Sequence, residues 1–560
     1  MIKPDTSRKW DTLRADTDDR LAAAAKITGG GKIVRADDIV TLLETVIRPG
    51  DKVNIEGDNQ KQADFLAQSL CAVSPDVVHD LHMVQSVLTL PEHLDIFEKG
   101  IARKLDFSFS GPQAGRIAEL LNAGKLELGA IHTYLELYGR YFLDLTPRVA
   151  LVVADAADRD GNLYTGFSTE DTPAIVEATK FRQGIVIVQV NKIMDELPRV
   201  DIPGDFVDFV VESPRPFYIE PLFTRDPAKI SNGRVLKAMM VIKGIYAEYG
   251  IKTLNHGIGY DTSAIELLLP TYGEELGLKG KICTHFVLNP CPTLIPAIET
   301  GWVETVHSFG GEVGMDRYVA ARPDVFFIGP DGSMRSNRAF AQVAGHYAID
   351  AFVGATLQID PCGNSSTATA TRVAGFGGAP NMGCDAKGRR HASPAWLKCG
   401  EEDGRHLETI GGDVHRGRRL VVQITDTLSG KNHDIPAFVE RLDAIKLAKR
   451  AHLDTEPVMI YGDDLTHIVT EKGIAYLHKC RDLEERKAAV RSVAGDTEIG
   501  RQGSDKERGR MRELGIVKTP EDLQIDPSKA DRSMLAAQSM KDLVDWSGGL
   551  YDPPAKFKNW

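Results

Sequence analysis

No apolar run in the sequence approaches the roughly 18 residues of a membrane-spanning helix, so no membrane span is expected. Cysteine is scarce. Seven cysteines, an odd number spread from Cys71 to Cys480, argue against a disulfide framework and for a reduced, cytoplasmic setting. Positive charge is in deficit: 67 Lys and Arg against 79 Asp and Glu give a formal net charge of −12. Sequence-independent binding to nucleic acid needs a basic face, and none is expected here. Anionic small substrates remain compatible with an acidic chain, because a basic pocket can be local. The opening MIKPDTSRKWDTLRADTDDRL is polar and mixed in charge, unlike a signal or transit peptide.

What the sequence does contain is a succession of short β-branched runs separated by helical stretches. They include KVNIEG (52–57), RVALVVADAA (148–157), GIVIVQV (184–190), DFVDFVV (205–211), DVFFIG (324–329), GATLQID (354–360) and LVVQIT (420–425). Apolar runs of this length with helices between them predict parallel sheets covered on both faces, the α/β class. A coarse repeat is present. PGDKVNIEGDNQKQADFLAQSL (49–70) and YGIKTLNHGIGYDTSAIELLL (249–269) both run strand, turn, helix. Two halves on one plan follow, 1–228 and 229–480, with a charged, mainly helical tail over 481–560.

Four motifs could carry chemistry. CTHFVLNPCP (283–292) has two cysteines and His285, but lacks the second ligand pair of a structural zinc site and reads as core. NHGIGYDTSA (255–264) places Gly257 and Gly259 at a strand end before a helix, with Asp261 and Thr262 as cap candidates. Its third glycine is missing, so it is not a dinucleotide fingerprint, and a tight turn is the plainer reading. GNSSTATATRVAGFGGAPNMG (363–383) carries Gly375, Gly377 and Gly378, and such loops donate backbone N–H groups to oxyanions or phosphates. THIVTEKGIAYL (466–477) sets Glu471 between a strand and a predicted helix, where a solvated or capping role is the default. The basic clusters KGRRH (387–391) and RGRRL (416–420) read as solvated surface on charge pattern alone.

The order of these motifs (GIG, LQID…GN, GxGG, VTExGxAxL) resembles the two-domain CoA-transferase superfamily. FVLNPCPTLIPAIETGWVETVHSFGG (286–311), GFGGAPNMGCDAKGRRHASPAWL (375–397) and GRRLVVQITDT (417–427) are similar to the malonate decarboxylase α-subunit family. The resemblance implies two ribose-phosphate-isomerase-like α/β domains and a transferase exchanging acetate for malonate on a carrier-protein thioester. It implies no cofactor tightly bound to this chain. The phosphoribosyl-dephospho-CoA arm belongs to a partner acyl carrier protein, and decarboxylase subunits complete a complex. Glutamate-dependent members of the superfamily keep an HSE-type acid after the GIG turn. Here Phe286, Val287, Leu288 and Asn289 follow His285, so direct acyl exchange without a glutamyl-CoA intermediate is expected. On that reading backbone N–H groups of Gly257, Gly259, Gly377 and Gly378 cradle negative charge. Asn255, Asn289 and Asn364 orient the acyl oxygen or malonate, and Glu471 is an orienter. Arg389, Arg390, Arg418 and Arg419 meet phosphate. No metal is expected. The alternatives are a citrate- or acetate-type CoA/carrier transferase and a non-catalytic sugar-phosphate or nucleotide sensor on the same fold.

Overall fold

The apolar run ALVVADAA lies in a strand, Val149–Ala157, in which Val149 to Ala154 are all fully buried. Successive residues are hidden in this way when a parallel strand is covered by helices on both faces. That arrangement recurs throughout the computed structural model, which describes residues 10–57, 61–308, 310–334, 349–383, 420–430, 432–558 and 560. Arg389, Arg390, Arg418 and Arg419 lie outside the described residues. The chain divides into two units, Met1–Glu220 and Pro221–Trp560, so residues 481–560 belong to the second.

The first unit holds β1 (Ile33–Val34), β2 (Lys52–Ile55), β3 (Leu81–Val87), β4 (Ala102–Phe109), β5 (Glu127–Ile131), β6 (Val149–Ala157), β7 (Leu163–Tyr164), β8 (Ile185–Ile193) and β9 (Phe209–Glu212). Its sheet order is β1-β9-β8-β6-β2-β3-β4-β5, all parallel, with β7 antiparallel on β6.

The second unit holds β10 (Thr253–His256), β11 (His285–Val287), β12 (Thr305–His307) and β13 (Ala351–Ala355). The short pair β14 (Gln358–Ile359) and β15 (Ser365–Ser366) comes next, then β16 (Leu420–Ile424). A second short pair, β17 (Leu428–Ser429) and β18 (Ile435–Pro436), precedes β19 (His467–Thr470), β20 (Gly473–Tyr476) and β21 (Val517–Lys518). The main sheet runs β12-β11-β10-β13-β16-β19-β20-β21, parallel as far as β19 and antiparallel after it.

Three sequence expectations change. DVFFIG does not form a strand: Phe326 makes one bridge to Val306, and Phe327 is 86% exposed. Pro323 interrupts the chain there, and Arg322 folds it back through its carbonyl to the N–H of Val325 and its side chain to Asp324. GATLQID breaks into β13 and β14, which form different sheets. VTEKGIAYL turns directly into a strand rather than a helix. Gly473, at φ 149°, approaches β21 so closely that a Cβ there would lie 2.5 Å from the Lys518 carbonyl oxygen. The tail packs on its own unit: β21 extends the sheet, and Asp552 donates its N–H to the Gly314 carbonyl at 3.0 Å. No helix among the described residues is long and apolar enough to cross a membrane.

Candidate active site

In the second sheet the chain leaves β10 towards β11 and β12, then returns to the other side of β10 with β13, β16 and β19. The strand order therefore reverses between β10 and β13. Open parallel sheets bind ligands in the crevice outside the carboxyl ends of the strands at such a reversal. Gly257 and Gly354 line it, and a Cβ on Gly257 would sit 3.2 Å from the Gly354 Cα. The helix Ala379–Gly383, at the end of the GFGG loop, packs against β13, so both glycine bends adjoin that strand.

The helix Tyr260–Leu268 begins at Gly259 with no side-chain cap. Thr262 turns its hydroxyl back to the carbonyls of Gly257 and Gly259, and Asp261 pairs with Lys237. The N–H groups of Gly259, Tyr260, Asp261 and Thr262 consequently have no acceptor among the described residues, and they carry the positive end of the helix dipole. The guanidinium groups of Arg225 and Arg234 flank the Tyr260 ring, 5.7 and 5.2 Å from its centre. In the second bend, Gly375 and Gly377 adopt left-handed backbone (φ 78° and 56°) that glycine tolerates. The N–H groups of Gly377 and Gly378 likewise have no acceptor among the described residues.

Asn289 follows β11 and is fully buried. Its Nδ2 donates to the Gly311 carbonyl at 2.7 Å, and its Oδ1 has no partner among the described residues. Beside Gly311 lies Glu312, also buried, whose Oε1 accepts the Thr224 N–H at 2.9 Å and hydroxyl at 2.7 Å. Below the crevice His256 bridges Tyr246 and Glu266, each at 2.8 Å, and Thr293 donates to the other Glu266 oxygen. Burial pushes the Cys291 thiol well above its usual range, and Glu266 and Glu312 add to this, so it stays protonated. Glu471 receives both the N–H and the hydroxyl of Thr427. Lys237, fully buried, lies 2.8 Å from Asp261 and 2.7 Å from Asp426, bracing the helix start against the second residue beyond β16. Every carboxylate named here is thus held by a protein partner.

Three expected roles change on this geometry. The Gly257 N–H donates to the Val353 carbonyl at 2.7 Å and is not available to a ligand. Asn255 gives its amide to the Val287 carbonyl, tying β10 to the end of β11. Asn364 accepts from the Gly462 N–H at 2.9 Å and donates to Asp360 at 2.9 Å. It lines a separate cleft of about 450 Å³ with Cys362, Tyr461, Cys480 and Arg486. Leu477 hydrogen-bonds Thr466 at the amino end of β19, so the 477–486 wall of that cleft starts from the opposite edge of the sheet. The Asn364 amide is engaged by Gly462 and Asp360. Glu312, Arg225 and Lys237 were invisible in the motifs, because each sits in an ordinary-looking stretch and matters only through tertiary contact.

Burial lifts the Glu312 carboxyl to about 7, with Thr224 and Arg225 only partly opposing the shift from 4.5. A raised acid pKa stabilises the fold fully below about pH 4.5, and that contribution is lost as pH rises through about 7. Glu312→Gln keeps the acceptor for Thr224 and cannot ionise. Melts at about pH 5 and about pH 8 are expected to differ by about 2–3 kcal/mol less in the variant than in the wild type.

The first unit has the same reversal between β2 and β6, closed by its own side chain. There Glu56 accepts the Val153 N–H at 2.8 Å and the Thr172 hydroxyl. The open bends belong to the second unit.

A Streptococcus mutans citrate lyase alpha-subunit structure shares the fold, at TM-score 0.57 and 15% identity over 83% of this chain and 86% of that one. A Pseudomonas malonate decarboxylase hetero-tetramer, solved with malonate, matches at TM-score 0.90 and 57% identity over 99% of this chain and 100% of the matched one. An acetyl-S-ACP:malonate ACP transferase of Malonomonas rubra is 67% identical over 551 residues, 98% of this chain and 99% of that protein. The family model "Malonate decarboxylase, alpha subunit, transporter" matches residues 9–560. The chain belongs to the malonate decarboxylase alpha-subunit family.

Proposed function

We propose that this chain exchanges acetate for malonate on the thioester of an acyl carrier protein. It would act in the cytoplasm as the alpha subunit of a complex that also holds the carrier and decarboxylase subunits. The observation that carries this reading is the 67% identity, end to end, with a transferase of that activity. The phosphoribosyl-dephospho-CoA arm of the carrier is then the substrate's handle rather than a cofactor of this chain.

The exchange runs directly between substrates. A malonate carboxylate oxygen attacks the acetyl carbonyl, the C–S bond breaks, and acetyl–malonyl anhydride and carrier thiolate result. The thiolate then attacks the malonyl carbonyl of the anhydride, forming malonyl thioester and releasing acetate. The engaged state of Glu266, Glu312 and Glu471 supports a route without a protein carboxylate as nucleophile. Both steps pass through oxyanions, and the N–H groups of Gly259–Thr262 and Gly377–Gly378, which have no acceptor among the described residues, suit that charge. Each such donor is worth about 3–4 kcal/mol in the transition state. Holding carboxylate, carbonyl and sulfur together supplies about 7–11 kcal/mol more. Arg225 and Arg234 beside Tyr260 suit the second malonate carboxylate. Asn289 takes a different part from the one its motif implies. With its amide N–H on Gly311, its free Oδ1 suits an N–H of the carrier arm and repels an acyl oxygen.

The test is a thioester-exchange assay with acetyl-loaded carrier and malonate, citrate or acetate as acceptor. Malonate is expected to be preferred. Preference for citrate or acetate would reassign the acceptor, and sugar-phosphate binding without any exchange would favour a sensor.

A further inference from the structure

Gln423 has no role assigned by its motif GRRLVVQITDT and is the one polar residue of β16. It is fully buried, and neither its Nε2 nor its Oε1 has a hydrogen-bond partner among the described residues. An amide stripped of water with both ends unmatched destabilises a fold, and a bound substrate group is one partner able to offset that cost.

Its position says which partner. Gln423 pairs in register with Gly354 on one side and Ile468 on the other. Its Nε2 lies 3.8 Å from where a Cβ on Gly354 would stand, and Gly257 approaches the Gly354 Cα from beyond. Two glycines, one just past β10 and one in β13, thus meet near this amide at the point where the strand order reverses, and the Phe352 ring fills the position a Gly354 side chain would take. The Phe352 ring, 2.8 Å from the same Cβ position, makes the apolar wall. His256, Val353, Val422 and His467 are level neighbours across the four strands, and their face is covered by Tyr246 and Tyr249. Gln423, one residue on from Val422, projects from the opposite face.

We propose that Gln423 is a catalytic residue whose Nε2–H donates to the acyl oxygen of the bound thioester as that oxygen takes up negative charge. This rests on the acyl-exchange reading above. A side-chain donor fixed on a strand is already oriented before the substrate arrives, which is what oxyanion stabilisation requires. It also takes the place left by Gly257, whose own N–H is held by Val353.

Gln423→Met has nearly the same volume and no hydrogen-bonding groups, so it separates catalysis from stability. With acetyl-loaded carrier and malonate, kcat is expected to fall roughly 10²–10³-fold with KM for malonate little changed. The melting temperature should equal or exceed that of the wild type, because the unmatched amide is gone. Gln423→Glu, with the shape but no donor, should lose kcat similarly. A Met variant that exchanges at the wild-type rate overturns the proposal. So does one that melts well below the wild type, since the amide would then be serving the fold. A wild type that does not exchange overturns the acyl-exchange reading, and this proposal with it.

Discussion

Lys237→Met is expected to destabilise the second unit by about 3 kcal/mol and to remove most of its exchange activity. Burial alone would lower the Lys237 pKa, but Asp261 and Asp426 outweigh it and hold the ammonium charged. Removing the cation leaves two carboxylates facing each other, with Arg234, 4.0 Å from Asp261, as the remaining counter-charge of the pair among the described residues. Breaking a buried pair costs about 3–5 kcal/mol, and the low end applies because Asp426 is half exposed and screened by water. Asp261 sits in the first turn after Gly259, and Asp426 precedes the Thr427 that grips Glu471. Loss of the brace therefore lets the donors at the helix start drift from the β16 side of the crevice. Melting and exchange rate should both fall. Combining Lys237→Met with Asp426→Asn should be clearly less than additive. Strict additivity would mean that the lysine and aspartate act independently.

Gly314→Ala is expected to release the C-terminal tail. A Cβ there would stand 1.9 Å from the Asp552 carbonyl oxygen and 2.6 Å from its carbon, both backbone atoms that cannot swing aside. Left-handed backbone at φ 76° costs a side-chain residue about 1–2 kcal/mol even without that clash. The disturbance lies two residues from Glu312 and three from Gly311, which holds Asn289. Limited proteolysis should cut near residues 547–552 much faster than in the wild type, with exchange reduced in parallel. An intact tail and full activity would show that the 311–315 loop tolerates displacement.

Much of the fold was legible because parallel strands buried on both faces must be written as unbroken apolar runs, as in ALVVADAA. The helix after NHGIG was legible from its glycines and its apolar spacing. Glu471 was placed before a helix because GIAYL has the composition of either element. What decided for a strand was Gly473 against Lys518, a contact 45 positions away in the chain. Asn255 and Asn364 looked like ligand-facing residues, and proved to hydrogen-bond the backbone at β11 and at Gly462. A motif names residue types, but whether an amide is free depends on which carbonyl folding brings to it. Gln423 had the converse problem. A single polar residue inside VVQIT carries no sequence signal, and its significance arises from the two glycines that tertiary pairing sets beside it.

The central claim is that malonate itself attacks the acetyl thioester, and oxygen labelling in a single turnover tests this most directly. Enzyme in excess over acetyl-loaded carrier would be mixed with malonate carrying ¹⁸O in its carboxylates, and the released acetate weighed by mass spectrometry. Direct exchange predicts acetate with one ¹⁸O from the first turnover, because the attacking malonate oxygen leaves with the acetyl group. Unlabelled first-turnover acetate, its new oxygen drawn from a glutamate of the protein, would contradict the account.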